Sequence, residues 1–298
     1  MIDFDYRTPS ELSAAAAILT EYGDDAKVLA GGTTLLLLMK RRLVSPRVLV
    51  SLHRVPGLAT VGENDGGLRI GAAATLRDLE TSPLLTERFP GLGQALAQVA
   101  TIRIRNQATI GGNLALGDPL MDLPAVLTTL DGSVELSSSS GSRTIPLAGF
   151  FTDYLTTTAR PDEIITQIHV PFLPPTSTAV YLKYLPRTVA DYGTIGVAIW
   201  LSLDAAGERV HDVRIALAGA GPTTLRALEA ETALRGRRAN EAAFAVAAAA
   251  VRSSTSPTSD SRGSAHYKRH MTEVFVRRAL RQALGNVRNG PLCGPTRS

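Results

Sequence analysis

Two pairs of adjacent glycines are the residues of this chain best suited to chemistry on a ligand: Gly31-Gly32, followed by Thr33-Thr34, and Gly111-Gly112, followed by Asn113. Apolar residues precede each pair. Glycine lets the backbone approach a ligand closely and turn its N–H groups toward an anion, and a helix start just after it adds positive potential. Thr33, Thr34, Thr109 and Asn113 bring hydroxyl and amide donors to the same two places. Two such turns can cradle one diphosphate through hydrogen bonds to charge, each contributing roughly 1.5 to 3 kcal/mol. Either pair alone reads first as a simple turn; together they favour a phosphorylated ligand. Beside the second pair, Gly117-Asp118-Pro119-Leu120-Met121-Asp122-Leu123-Pro124 holds two carboxylates four residues apart. Its plain reading is a capped helix start, and a carboxylate so placed can also accept hydrogen bonds from ribose hydroxyls.

Other chemistries find little support. There is no G-x-G-x-x-G fingerprint and no P-loop, which argues against a Rossmann or P-loop nucleotide site. His266 and His270 stand at i and i+4, but no glutamate lies between them and no third metal ligand is suggested, so they read as a solvated helix face. His53, His169 and His211 are isolated. No G-x-S-x-G elbow is present, and the single cysteine, Cys293, sits six residues from the end. One cysteine can form no intramolecular disulfide and hold no iron–sulfur cluster. The chain thus reads as binding something phosphorylated while offering no evident acid, base or nucleophile.

The elements that must position these residues follow from local patterns. Thr8-Pro9-Ser10-Glu11 reads as a capping box opening a helix through Leu12, Ala14 to Ala17 and Leu19, ended by Gly23. Lys27 to Ala30 then predicts a buried strand, Gly31 to Thr34 a tight turn, and Leu35 to Lys40 a helix; Arg47 to Leu52 predicts a second strand. Further on, the patterns predict a strand at Leu68 to Ala72, a helix start at Thr75 with Asp78 in its first turn, and a helix over Leu92 to Ala100. Val134 to Leu136 and Arg143 to Leu147 suit a hairpin around a serine-rich turn, and Ile164 to Val170 a strand with unequal faces. Pro171 to Thr178 is the best linker in the chain. Beyond it, Thr194 to Leu203 and Val210 to Ala218 form a hairpin, and helices over Asn240 to Arg252 and Ala265 to Leu284 close the chain. This irregular order favours α+β over a doubly wound sheet.

At 298 residues the chain has room for two ordinary domains. Hydrophobic residues make up 44% and charged residues 19%, the balance of a folded soluble protein. No stretch is long and apolar enough for a membrane helix, and the acidic start Met1 to Tyr6 lacks the basic and apolar regions of a secretory signal, which together predict a cytoplasmic protein. The net charge is only +4, and no aromatic residues interleave Lys40-Arg41-Arg42 or Arg103 and Arg105, so nucleic acid is not the expected partner. Solvated faces, an acidic partner or a bound phosphate explain these charges at least as well.

At the two glycine segments the chain resembles the FAD-binding subunits of molybdenum hydroxylases, a group that includes carbon monoxide dehydrogenase medium subunits and the flavin domain of xanthine dehydrogenase. The likeness runs nearly end to end. Val28-Leu29-Ala30-Gly31-Gly32-Thr33-Thr34-Leu35 is similar to the family's first pyrophosphate loop, and Thr109-Ile110-Gly111-Gly112-Asn113 to its second. The resemblance implies that Asp122 contacts the adenosine part of FAD, that Lys183 contacts the flavin and that Ile165 lines the site. Tyr181-Leu182-Lys183 and Arg187 to Tyr192 resemble the stretches near the isoalloxazine, with Asp191 and Tyr192 beside the ring. It further implies an α+β fold: an FAD-binding domain of the p-cresol methylhydroxylase type over residues 1–175, in lobes of about 1–55 and 56–175, then a smaller α+β C-terminal domain over 176–290 and a flexible tail over 291–298. No histidine stands near Asn113 to tether a flavin, so the FAD is expected to be non-covalent.

Partners are implied as well. In the family a large subunit with a molybdenum cofactor oxidises substrate, a small subunit with two [2Fe-2S] clusters relays electrons, and the FAD subunit passes them on. The implied assembly is a dimer of heterotrimers. Carbon monoxide, a purine or an N-heterocycle is the expected substrate class of the complex, and quinone, NAD or oxygen the acceptor. The alternative is a stand-alone FAD-dependent oxidoreductase. Under either reading, Gly111→Val should push a side chain into the diphosphate position.

Overall fold

The computed structural model describes residues 3–64, 66–186 and 191–289. Arg187 to Ala190, cited for their likeness, and the expected tail with Cys293 lie outside the described residues. The fold is mixed helix and strand, in three sheet-based layers.

The first layer holds β1 (Asp5–Arg7), α1 (Leu12–Tyr22), β2 (Ala26–Leu29), α2 (Leu35–Lys40) and β3 (Val48–Ser51). Its strands form a parallel sheet in the order β1-β3-β2. The alanine run puts Ala15, Ala16 and Leu19 on one helical face, buried against Val48 and Val50. Gly23, at φ 50°, ends α1 with its N–H on the Leu19 carbonyl. The expected capping box does not form. Glu11 is the N-cap, in extended backbone and without a side-chain cap bond. Proline disfavours helical backbone at the residue before it, so Thr8 stays in the link from β1.

The second layer runs through β4 (Val61–Asn64), β5 (Gly67–Gly71), α3 (Leu76–Glu80), α4 (Pro83–Arg88), α5 (Pro90–Gln98), α6 (Ile102–Arg105), α7 (Ile110–Ala115), α8 (Asp122–Thr129), β6 (Ser133–Ser138), β7 (Gly141–Pro146), β8 (Phe151–Asp153), β9 (Thr156–Thr157) and β10 (Ile164–Pro171). Its main sheet has the order β4-β5-β10-β6-β7. Thr75 caps α3 by accepting the Asp78 N–H at 3.1 Å, as its position suggests. Arg105 departs from the expected solvated patch. It is buried, pairs with Glu80 at 2.8 Å and donates to the carbonyls of Val99 and Ala100, which fixes the chain entering the second glycine segment.

The third layer is a sheet of β11 (Ser177–Tyr184), β12 (Ile195–Leu203), β13 (Val210–Ala218) and β14 (Leu225–Arg226), backed by α9 (Leu228–Leu234), α10 (Glu241–Ser254) and α11 (Ala265–Asn289). Every residue of β12 is buried. Strand alternation divides them: Val197, Ile199 and Leu201 face the helices, while Ala198 and Trp200 join one continuous core with Leu123, Val126 and Leu127 of α8. Arg214 lies over the Trp200 ring at 4.1 Å and donates to the Thr129 carbonyl, tying the sheet to the end of α8. No helix among the described residues is long and apolar enough to cross a membrane.

Glu241 opens α10 and binds Arg277 and Arg281 of α11. Hydrogen bonds from Arg281 and Arg277 hold its carboxyl down to about 2. A depressed carboxyl stabilises the fold above its ordinary value near 4.5, and that contribution is lost as pH falls through the folded value. Glu241→Gln should therefore unfold more readily than the parent at neutral pH and match it below pH 2 in an acid denaturation series.

Candidate functional site

The first glycine loop leaves β2 at the carboxyl end of the parallel sheet, the edge at which open parallel sheets receive ligands. Gly32 takes φ +69°, and a Cβ built on it would stand 3.0 Å from a Leu29 methyl and 3.1 Å from a Leu36 methyl. Among the described residues, no hydrogen bond takes up the N–H groups of Gly31, Gly32, Thr33, Thr34 or Leu35. Val28, Leu29 and Leu35 are only half-buried around this loop, and Ala30 is exposed.

The two glycine segments meet. A Cβ built on Gly31 would fall within the carbonyl of Gln107, 2.7 Å from its carbon and 3.1 Å from the Cα of Ala108. Backbone from the first loop thus lies directly on backbone two residues before Thr109.

The second segment is not a turn but the first turn of α7, capped by Thr109, whose hydroxyl accepts the Gly112 N–H at 3.2 Å. Its other amides serve the fold: Ile110 donates to Ala74, Gly111 to Ala72 at 2.8 Å, and Asn113 to the Thr109 carbonyl. A Cβ on Gly111 would stand 2.7 Å from the Ala72 carbonyl oxygen, so valine there would strike the β5 connection. Glycine is required at this position for helix-to-sheet packing. Ile165, expected to line the site, is 8% exposed within the core, and its neighbour Thr166 accepts from Ala72. What the second segment offers a ligand is the side chain of Asn113. Its Nδ2 donates to Met121 Sδ at 3.1 Å, and its Oδ1 is buried with no partner.

Deeper in, Asp122 opens α8 and accepts from two residues of β11. Tyr181 donates to Oδ1, and Lys183 donates to Oδ2 at 2.9 Å and to the Gln98 carbonyl at 3.2 Å. Tyr181 and Lys183 are two apart on one strand and so share a face; Gly196 of β12 leaves space for the Tyr181 hydroxyl. Burial raises the Asp122 carboxyl above its ordinary value even with Lys183 beside it, and burial next to Asp122 pushes the Tyr181 hydroxyl well up. Asp122 and Lys183 therefore form one unit. The 2.9 Å ion pair places the residue expected near the adenosine and the one expected near the flavin in direct contact. Tyr181→Phe keeps the ring's packing but removes a hydrogen bond to a buried carboxylate. A loss of about 1.5 to 3 kcal/mol should appear in denaturant unfolding.

In the α7–α8 connection, Asp118 accepts the Leu120 N–H at 2.9 Å, and burial raises its carboxyl. Asp191 and Tyr192 follow Lys183 across the strand connection, with Tyr192 40% exposed. Arg262, from the link between α10 and α11, reaches both of them. Sequence reasoning missed Tyr181 as an anchor and Arg262 altogether. The spacing of Tyr181 and Lys183 on a strand was a signal for the first; nothing local marks the second.

Among the described residues no group of histidine, cysteine and carboxylate side chains could hold a metal ion. The donors do suit FAD: uncommitted loop amides for a diphosphate, the unpartnered Asn113 Oδ1 for a donor of the ligand, and a charged, partly aromatic cluster beyond.

Comparison with known proteins agrees with this chemistry. Residues 2–173 match the family model for the FAD binding domain in molybdopterin dehydrogenase, and residues 180–283 that for the CO dehydrogenase flavoprotein C-terminal domain. The chain is 36% identical to the 6-hydroxypseudooxynicotine dehydrogenase complex subunit alpha of Paenarthrobacter nicotinovorans, over 96% of each. It is 35% identical to the carbon monoxide dehydrogenase medium chain of Hydrogenophaga pseudoflava, over 94% of this chain and 96% of that one. A solved structure of carbon monoxide dehydrogenase from Hydrogenophaga pseudoflava, lacking the Mo-pyranopterin moiety, superposes with a TM-score of 0.92 at 36% identity, covering 96% of this chain and 99% of that chain. With both halves matched in order and the whole fold shared, the chain belongs to the FAD-binding medium subunits of the molybdenum-containing dehydrogenases, the oxidoreductase family of carbon monoxide dehydrogenase and xanthine dehydrogenase.

Proposed function

We propose that this chain is the electron-exit subunit of a molybdenum-containing hydroxylase or dehydrogenase, receiving electrons from [2Fe-2S] clusters of a small subunit and delivering them to an external acceptor. The observation that carries this reading is the approach of Gly31 to Gln107, which brings both glycine segments of an FAD-binding family to one place. Backbone N–H groups of Gly31 to Leu35 hold the diphosphate, with the Thr33 and Thr34 hydroxyls beside them. Asn113 binds through its side chain, while Thr109, Ile110, Gly111 and Gly112 shape the wall. Asp122 fixes Lys183 toward the flavin; Asp191 and Tyr192 flank the ring. Bound FAD supplies the exchange between one-electron carriers and the acceptor, and the protein sets its position and potential.

The assembly is a dimer of heterotrimers with a large molybdenum-cofactor subunit, working in the cytoplasm. Its substrate is chosen by the large subunit, carbon monoxide or an N-heterocycle such as a purine. Co-expression with the partner chains and purification through this one tests the reading. The preparation should be yellow, release FAD on heating and carry molybdenum and iron. A folded, colourless complex that takes up no added FAD would overturn it, as would turnover of substrate by this chain alone.

A further inference from the structure

Between α10 and α11 the chain forms a short loop that is held at several points besides the Arg262 side chain. Lys268, its side chain 3% exposed, donates to Asp260 at 2.8 Å and to the Thr258 carbonyl at 2.9 Å. Asp260 and Gly263 pair as a β-bridge, Ala265 donates to Ser259 Oγ at 2.8 Å, and Ser256 donates to the Ala220 carbonyl. From this frame the Arg262 guanidinium reaches 5.7 Å from the centre of the Tyr192 ring, within the range of a cation–π contact. Its terminal nitrogens lie 3.9 Å from Asp191 Oδ1 and 3.6 Å from Asp260 Oδ2. Its Nε is buried with no acceptor.

That last atom, with the ring and carboxylate contacts beside it, bears on the role of the residue. An arginine serving the fold alone is expected to satisfy its fork, since a buried donor without an acceptor is costly. Here one donor is left unmet while the planar group lies over a ring that remains 40% exposed, on the segment that follows Lys183. Lysine cannot lie flat on a ring and grip a carboxylate at once, whereas arginine can. The half-buried Asp118 carboxyl, in the α7–α8 connection, feels the charge of the same cation.

We propose that Arg262 is a positioning residue that holds Tyr192 and Asp191 in place at the ring end of the flavin site. The inference rests on the flavin reading above. It assigns the C-terminal helical layer a direct part in arranging that end of the site, through a residue 71 positions beyond Asp191.

The test is the emission of FAD bound to the full chain, because an electron-rich tyrosine held against a flavin quenches its fluorescence. Arg262→Met should raise the emission of bound FAD severalfold, Tyr192→Phe should do the same, and the double variant should add nothing further, the signature of two residues acting as one unit. Ser259→Ala removes the loop contact to Ala265 without touching Arg262's own contacts and should leave the emission near that of the parent. Emission unchanged in Arg262→Met, full additivity in the double variant, or an equal rise in Ser259→Ala would overturn the proposal. A parent chain that holds no FAD would instead sink the flavin reading on which it stands.

Discussion

Gly31→Ala should give a folded chain that no longer retains FAD through purification. The added methyl carbon has no free position, because the Gln107 carbonyl already occupies it, and backbone cannot rotate aside as a side chain can. The first loop must then move off the second segment by the better part of a methyl diameter. Hydrogen bonds to a diphosphate contribute about 1.5 to 3 kcal/mol each, so misplacing two of them weakens binding by at least about a hundredfold. Overpacking of this kind costs the fold only about 1 to 3 kcal/mol, which a chain of this size can bear. Flavin content per chain by absorbance, with circular dichroism to confirm folding, measures both. Full flavin content in folded Gly31→Ala would show that the loops need not touch to bind the cofactor.

Lys183→Met should be the most destabilising single change in the deep cluster. It leaves the Asp122 carboxylate buried without its cation, a situation that typically costs 3 to 5 kcal/mol, or a fall in Tm on the order of 10 °C. The sign of its pH dependence follows from the raised Asp122 carboxyl. Above the ordinary value the unfolded chain has released a proton that the folded chain still holds, so unfolding free energy falls as pH rises through that window. With Lys183 gone the carboxyl is raised further, and the variant should lose more stability at pH 8 than at pH 5. Asp122→Asn with Lys183→Met removes both charges and should recover most of the loss. A double variant no more stable than Lys183→Met, in urea unfolding at both pH values, would mean that the pair is not the unit described.

How far the sequence foretold this depends on how local each feature is. Val210 to Ala218 falls on β13 residue for residue, and Thr75 caps α3, because strand alternation and capping are decided within a few positions. The glycine loop after β2 was legible for the same reason. Gly111 and Gly112 were misread as a turn because a glycine pair looks the same whether it bends the chain or lets a helix lie against Ala72; only the packing partner tells them apart. The Asp122–Lys183 pair spans 61 positions and joins a helix start to a strand, so composition could name both residues but not their bond. Arg105 and Arg262 have the same charge on paper, yet one is buried on Glu80 and the other reaches out to Asp191. The family likeness supplied the cofactor, and the structure supplied the contacts these residues make with one another.

The single apolar body shared by α8 and the β11–β13 sheet has a consequence for any attempt to cut or splice this polypeptide. Scission in the connection between β10 and β11 would bare Trp200 and Ala198 on one fragment and Leu123, Val126 and Leu127 on the other. Each piece would then carry a raw greasy flank of the sort that drives clumping in water. Chimeras that swap the C-terminal portion between relatives should stay soluble only when the matching surface of α8 travels with it.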